Sequence, residues 1–290
     1  MTRARFDVPG VDLDLVARSH GWYDLAPFAW DEARRTLSFV FLAGGAPERA
    51  VLSARNGRVR AVATAPTRLA RPVVARVLDL GSELEPFHAL CAERRAEGFG
   101  WIAERRAGRV LRAPTLFEDA VKVLCTTNCS WALTRSMVTR MVAAFDRGGA
   151  FPDAAFLAAL PERRLRDELK LGYRAPFLRA FAERVAGGAL DLGAWEDAAL
   201  PDDELAARIR SEKGFGPYAA ETLLRLLGRH GRLGLDSWSR KQVARLRFRG
   251  RPVKDARVAR FYAPFGRFAG LAFWLDVTRD WHEGRERLWP

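Results

Sequence analysis

The 290-residue sequence lacks any apolar stretch approaching the roughly 20 residues of a membrane-spanning helix, and its opening, MTRARFDVPGVDLDL, has no apolar run of signal-peptide length. A cytoplasmic location, with no membrane partner, is the default expectation. Cysteine is scarce: Cys91, Cys125 and Cys129 form an odd set, too sparse for a disulfide framework. They also exclude an iron–sulfur cluster, which needs four cysteines in most sites. Cys125 and Cys129 stand at helical i, i+4 spacing, but no Cys-x2-Cys motif accompanies them, so no metal site is expected. Low-complexity segments and long linkers are absent too.

What is present first is positive charge. Lysine and arginine total 48 against 35 aspartates and glutamates, a formal +13 with a pI near 10.6. That balance favours a polyanionic partner. DNA, RNA and an acidic membrane surface all satisfy it, and the Ala, Arg and Gly richness of the chain supplies part of the excess as plain composition. The 49% of hydrophobic residues can fill the core of one large domain or two ordinary ones.

The patterning changes once along the chain. Up to about Pro72, the segments DLDLVA, TLSFVFLA, RAVLSAR and RVRAVAT are short, alternating or β-rich, and separated by glycine, proline and Asn-Gly signals. Asn56-Gly57 is a two-residue hairpin turn on this reading. From PVVARVLDLG onward the period is helical. The expected fold class is therefore α+β: a small N-terminal antiparallel sheet domain (1–72), then an all-helical body (73–290). Within the body, LFEDAVKVLCTTNCSWALTRSMVTRMVAAFD holds two amphipathic helices around a polar TTNCS break, and Pro201-Asp202-Asp203-Glu204 begins another helix.

The segment IRSEKGFGPYAAETLLRLLGRHGRLGLDSWSRKQVARL carries the most chemistry. A helical hairpin over 205–230 turns at Gly214-Phe215-Gly216-Pro217, with a second helix expected from Tyr218 to His230. Both glycines are free to take positive φ and bring bare N–H groups near an anion, with Phe215 plugging the turn from inside. Pro217 suits a first helical turn, so the hairpin presents a helix N-terminus to a phosphate. A purely structural turn explains the same glycines. After it, residues 231–241 form a loop in which Asp236 stands at the start of a new helix, where an N-cap is the plain alternative to a catalytic role.

KGFGPYAAETLLRLLG followed by LGLDSW resembles the helix-hairpin-helix and aspartate-bearing loop of the helix-hairpin-helix DNA glycosylases. FEDAVKVLCTTNCSWALTRSMVTRMVAAFD, LKLGYRAPFLRAFAERV and FGRFAGLAFWLDVTRD are similar to segments of the 8-oxoguanine glycosylases, and RVLDLGSELEPFHAL to the bacterial alkyladenine glycosylases. The resemblance covers residues 75–281. It implies that Asp236 stabilises the sugar cation formed as the base leaves. Bifunctional members place a nucleophilic lysine where this chain has Tyr218, which cannot form an imine. Lys213 and Lys241 are the nearest amines and suit phosphate contact, with Gly214, Gly216 and Arg240.

The resemblance further implies base flipping from double-stranded DNA, with Asn128 filling the gap, Tyr173 as wedge and Arg174 contacting the orphaned base. Leu133 stands where the oxoguanine enzymes hold a second arginine. Phe273, Trp274, Trp22 and Trp30 are the expected aromatic walls of the base pocket, although core packing accounts for such residues equally well. Aromatic faces suit flat bases, and cationic alkylated purines most of all. The expectation is a monomeric, monofunctional glycosylase of damaged purines, with alkylated bases ahead of 8-oxoguanine. A non-enzymatic binder of damaged DNA is the alternative. No cofactor is required; a monovalent cation under the hairpin carbonyls stays open.

Overall fold

The computed structural model describes residues 4–55 and 57–283. Strands β1 (Ala4–Val8), β2 (Ala29–Asp31), β3 (Thr36–Ala43), β4 (Ala46–Arg55) and β5 (Arg58–Ala63) form one antiparallel sheet in the order β1-β5-β4-β3-β2. Its sequence alternation translates directly into two faces. Phe6 and Val8 of β1, Leu37, Phe39 and Phe41 of β3, and Val59 and Ala61 of β5 are buried, while their neighbours along each strand are more exposed. Arg55 pairs with Arg58, the two-residue hairpin spacing expected. Asn56 itself lies outside the described residues.

DLDLVA, expected as a strand, is instead the short helix α1 (Leu13–Ala17). The Asp12 side chain accepts from the N–H groups of Asp14 at 3.0 Å and Leu15 at 3.2 Å, and this cap overrides the alternating pattern. The edge strands β1 and β2 had no comparable sequence signal. Helix α2 (Thr67–Val77) runs through Pro72, so helical structure begins ahead of the expected boundary. It packs against β1 and β5.

The body continues as α3 (Glu85–Glu93), α4 (Gly100–Arg105), α5 (Leu116–Thr126), α6 (Trp131–Phe145), α7 (Ala154–Ala159) and α8 (Ala175–Ala186). Then follow α9 (Asp202–Ser211), α10 (Pro217–Leu226), α11 (Ser237–Arg247), α12 (Asp255–Tyr262), α13 (Ala269–Val277) and α14 (Arg279–His282). The polar break between α5 and α6 is where it was expected. Thr115 caps α5 through the Glu118 N–H at 3.2 Å, and Ser130 caps α6 through the Leu133 N–H at 3.3 Å. Helix α10 ends at Leu226 rather than His230, closed by the Arg229 N–H on the Leu224 carbonyl at 2.8 Å.

Sheet and helices share one contiguous buried core. Their junction is organised by two buried acids of α5. Asp119, fully buried, accepts from Trp22 Nε1 at 2.8 Å, the Ala113 N–H at 2.9 Å and Arg76 Nη2 at 3.1 Å. Glu118 pairs with the equally buried Lys122 at 2.6 Å, and that ammonium lies 4.7 Å from the centre of the Phe28 ring. No helix among the described residues is long and apolar enough to cross a membrane.

Candidate active site

A cleft of about 950 Å³ opens between the α5–α6 loop, the hairpin of α9 and α10, and the start of α11. At the hairpin, Gly214 adopts φ +93°, and a Cβ there would meet Leu124 Cδ1 at 2.9 Å and Phe177 Cβ at 3.0 Å. Backbone conformation and close packing both demand glycine. Gly216 differs from the expectation: it is the N-cap of α10 with φ −80°, and nothing lies within 4 Å of its virtual Cβ. Positive φ therefore belongs to Gly214 alone. Phe215 is buried with its ring 5.0 Å from that of Phe181, plugging the turn as expected. No side chain caps α10, so the first N–H groups of the helix, and the positive end of its dipole, face the cleft beside the exposed Lys213.

Asp236 is the N-cap of α11, and also more than that. Its Oδ1 accepts the Ser239 N–H at 2.7 Å, while its own N–H donates to Ser239 Oγ at 2.9 Å, a reciprocal capping box. Oδ2 takes no hydrogen bond among the described residues. The cap thus fixes the carboxylate with one oxygen and leaves the other for the cleft. The loop before it is held from below by α13. Gly270 donates its N–H to the His230 carbonyl at 2.7 Å, and its virtual Cβ falls 2.6 Å from the Arg232 carbonyl carbon. Only a glycine lets the two backbones approach so closely.

Behind Asp236 lies a narrower recess that shares Thr126, Trp131, Tyr218, Asp236 and Trp238 with the cleft. Its free volume is about 60 Å³. Trp22, Trp274 and Trp281 line it further in, with His20 and Arg225. The sheet side is held to the helical body by side chains at this wall. Trp274 Nε1 donates to the Ser19 carbonyl at 2.7 Å, His20 Nε2 sits 2.5 Å from the Leu111 carbonyl, and Trp131 Nε1 donates to Asp24 at 2.7 Å. Burial holds the His20 imidazole down to about 3 and keeps it neutral at physiological pH. Burial likewise raises the Tyr218 phenol above its ordinary value, so that side chain enters the site as a neutral hydroxyl.

The expected site residues divide clearly. Asp236, Tyr218, Trp22 and Trp274 converge on the recess. Exposed Asn128 (φ +46°) and Tyr173, 52% exposed, line the cleft, the Tyr173 hydroxyl donating to the Thr127 carbonyl at 3.4 Å and its ring 4.5 Å from the Arg174 guanidinium, and Leu133 is exposed on α6. Lys241 is exposed on α11. Other residues are corrected. Arg174, expected at the orphaned base, is buried and donates to the Thr127 carbonyl, which supports the Asn128 loop. Phe273 is fully buried, edge-on to Tyr262 at 5.4 Å, in the core behind the site. Trp30 belongs to β2 and does not line the recess. Arg240 is engaged by Asp255 through two hydrogen bonds of 2.9 and 2.8 Å, which compete with any phosphate contact.

Recess residues that escaped the sequence reading include His20, Trp131, Arg225, Trp238 and Trp281. Arg225 left a trace, because Tyr218, Thr222 and Arg225 recur at i, i+4 and i+7 on one face of α10. Among the described residues, no group of three or more His, Cys, Asp or Glu side chains could hold a metal ion. Cys129 Sγ lies 3.0 Å from the Cys125 carbonyl, and Cys125 is a buried thiol pushed up to about 12.

A sheet domain merged with a helical body, a hairpin opening on a cleft and a capped aspartate just beyond it make up the fold of the helix-hairpin-helix DNA glycosylases. Among solved structures, 3-methyladenine DNA glycosylase from Archaeoglobus fulgidus superposes with a TM-score of 0.76 at 20% identity, covering 97% of this chain and 98% of that one. MBOgg1 in complex with a low-affinity DNA ligand gives 0.74 at 16% identity, over 97% and 99%. The apo 8-oxoguanine glycosylase/lyase of Clostridium acetobutylicum gives 0.68 at 16%, over 89% and 93%. No protein-family model matches the sequence, and no curated protein matches it.

Proposed function

We propose that this chain is a monofunctional DNA glycosylase that hydrolyses the N-glycosidic bond of a damaged purine flipped out of duplex DNA. The observation that carries this reading is the placement of Asp236: one oxygen is locked in the cap of α11, the other is free where the cleft meets the aromatic recess. As the bond to the base lengthens, positive charge develops on the sugar, and a fixed carboxylate in a partly desolvated site stabilises it. Water adds to the sugar carbon, its proton goes to the departing base nitrogen, and the products are a free base and an abasic site.

Tyr218 supports water as the nucleophile. A neutral phenol occupies the first turn of α10, and Lys213 and Lys241 are exposed outside the recess. The bare N-terminus of α10 and Lys213 suit the DNA backbone, while Asn128 and Tyr173 suit the gap left by the flipped nucleotide. Aromatic walls accept any flat base, and the expectation of an alkylated purine rests on those π-faces alone. The test is incubation with duplexes carrying single lesions, followed by alkali. Alkali-dependent strand scission is expected. Scission without alkali, with borohydride trapping, overturns the monofunctional assignment; tight binding with no excision overturns the enzymatic one.

A further inference from the structure

Arg225 is a cation buried to 6% exposure in the wall of the recess. A guanidinium carries five N–H donors. Here the only hydrogen bond among the described residues is a long one, Nη2 to the Leu233 carbonyl at 3.4 Å, and Nε is buried without a partner. Tyr218, Asp236 and Glu221 act on it through space, and among the described residues neither carboxylate forms an ion pair with it. Burial lowers it to about 10, which leaves it charged at neutral pH. A buried charge with unmet donors is a costly arrangement for a fold to keep for its own sake. It is an arrangement that waits for acceptors.

Resting on the glycosylase reading, we propose that Arg225 determines base specificity: it selects a neutral purine that presents a carbonyl oxygen, of the deaminated or oxidised class, over a cationic N-alkylated purine. Two features act together. An arginine fork matches a purine carbonyl and, where present, the adjacent ring-nitrogen acceptor. A base that already carries positive charge is instead repelled, and in a desolvated recess that repulsion is strong. The Trp274 face, one of those that would favour such a base, is already used, because the guanidinium of Arg225 lies 4.2 Å from the centre of its ring. Of the other titratable groups lining the recess, His20 is held neutral by burial and Tyr218 stays protonated, while the Asp236 carboxylate offsets part of the repulsion but offers a purine carbonyl no donor to replace the fork.

The test is single-turnover excision from duplexes containing hypoxanthine, 8-oxoguanine or 7-methylguanine, with wild type, Arg225→Met and Arg225→Lys. Wild type is expected to release at least one of the two neutral purines faster than 7-methylguanine, which keeps the C6 carbonyl but is cationic and has its N7 acceptor blocked. Arg225→Met is expected to lower that release by roughly 5- to 150-fold, the value of one bidentate contact, while leaving or raising 7-methylguanine release. Arg225→Lys keeps the charge without the fork, so it still disfavours 7-methylguanine but loses the carbonyl advantage. A wild-type preference for 7-methylguanine overturns the assignment whether or not the variants fold. An equal fall for every base in both folded variants overturns it as well and makes Arg225 structural only. Excision of none of the lesions by wild type removes the glycosylase reading itself, and this proposal with it.

Discussion

Gly270→Ala probes how the fold positions Asp236 without touching the cleft. The added Cβ would lie far inside van der Waals contact with the Arg232 carbonyl oxygen, 2.6 Å from its carbon and 2.9 Å from the His230 oxygen. All three neighbours are backbone atoms, so no side chain can turn away; α13 and the 230–236 loop must separate. Such overpacking costs about 1–3 kcal/mol, and weakening the Gly270 N–H bond to His230 adds about 1 kcal/mol. The better helix propensity of alanine returns up to about 1 kcal/mol. The net loss of about 1–3 kcal/mol corresponds to a fall in Tm of about 2–6 °C. The larger effect is on chemistry, because a displacement of about 1 Å at a catalytic group costs about 100-fold in rate. Thermal unfolding and single-turnover excision measured together check this, with DNA affinity expected to hold. Gly216→Ala, with open space around it and an ordinary φ, is the stability control. Unchanged Tm and excision in Gly270→Ala would refute the claim that α13 sets the height of the catalytic loop.

The remaining expectations concern the neighbouring side chains. Tyr218→Lys places an amine in the first turn of α10 beside the buried Arg225, and both burial and that cation lower its pKa toward a nucleophilic form; a borohydride-trapped enzyme–DNA adduct is expected on gels where wild type gives none, and a lack of adduct in a folded, DNA-binding variant counts against the assigned geometry. Asp119→Ala leaves Arg76 with Glu196 and the Ala113 carbonyl but strands the Trp22 indole N–H and the Ala113 N–H, so denaturant unfolding should show a loss of about 2–4 kcal/mol; a loss below about 1 kcal/mol would show that the hub does not hold the sheet to the body. In acid, burial holds His20 and His230 down to about 3 and His282 to about 4, against 6.5 for the free side chain. Their folded values lie below the unfolded one, so the stability from keeping them neutral is complete above pH 6.5 and is lost as pH falls toward the folded values. Glu118, pushed up to about 7 by burial, works in the opposite sense and releases a proton on unfolding. For these four groups the balance near pH 5 is an uptake of about two protons, to which His88, lowered by burial, adds and from which Asp119, raised by burial, subtracts, so stability should fall by up to about 3 kcal/mol per pH unit, measured as the pH dependence of the urea midpoint; a flat profile from pH 6.5 to 4.5 would contradict it.

The hairpin and Asp236 were legible in the sequence because they are local: a glycine turn, a proline at a helix start and an acid at a cap are written in consecutive residues. The α5–α6 break was legible for the same reason, through Ser130 and Thr115. DLDLVA misled because alternation and a five-residue helix share a pattern over so short a span, and the deciding interaction is the Asp12 cap. Phe273 and Trp274 are adjacent on α13 and equally aromatic, yet one is core and the other faces the recess, a difference of helical phase that only packing settles. Arg174 was misplaced because its partner, the Thr127 carbonyl, is 47 residues away along the chain. His20 and Trp281 come to the recess from near opposite ends of the sequence, which no spacing rule connects.

The most direct test of the account is single-turnover excision by Asp236→Asn on whichever lesion duplex wild type processes, with Tm and DNA affinity measured alongside. Asparagine caps a helix about as well as aspartate, so the fold and DNA binding should be retained within about 1 kcal/mol, while excision falls by about 100-fold or more as the charge opposite the sugar cation is removed. Excision by Asp236→Asn at the wild-type rate would contradict the account and reduce Asp236 to the cap of α11.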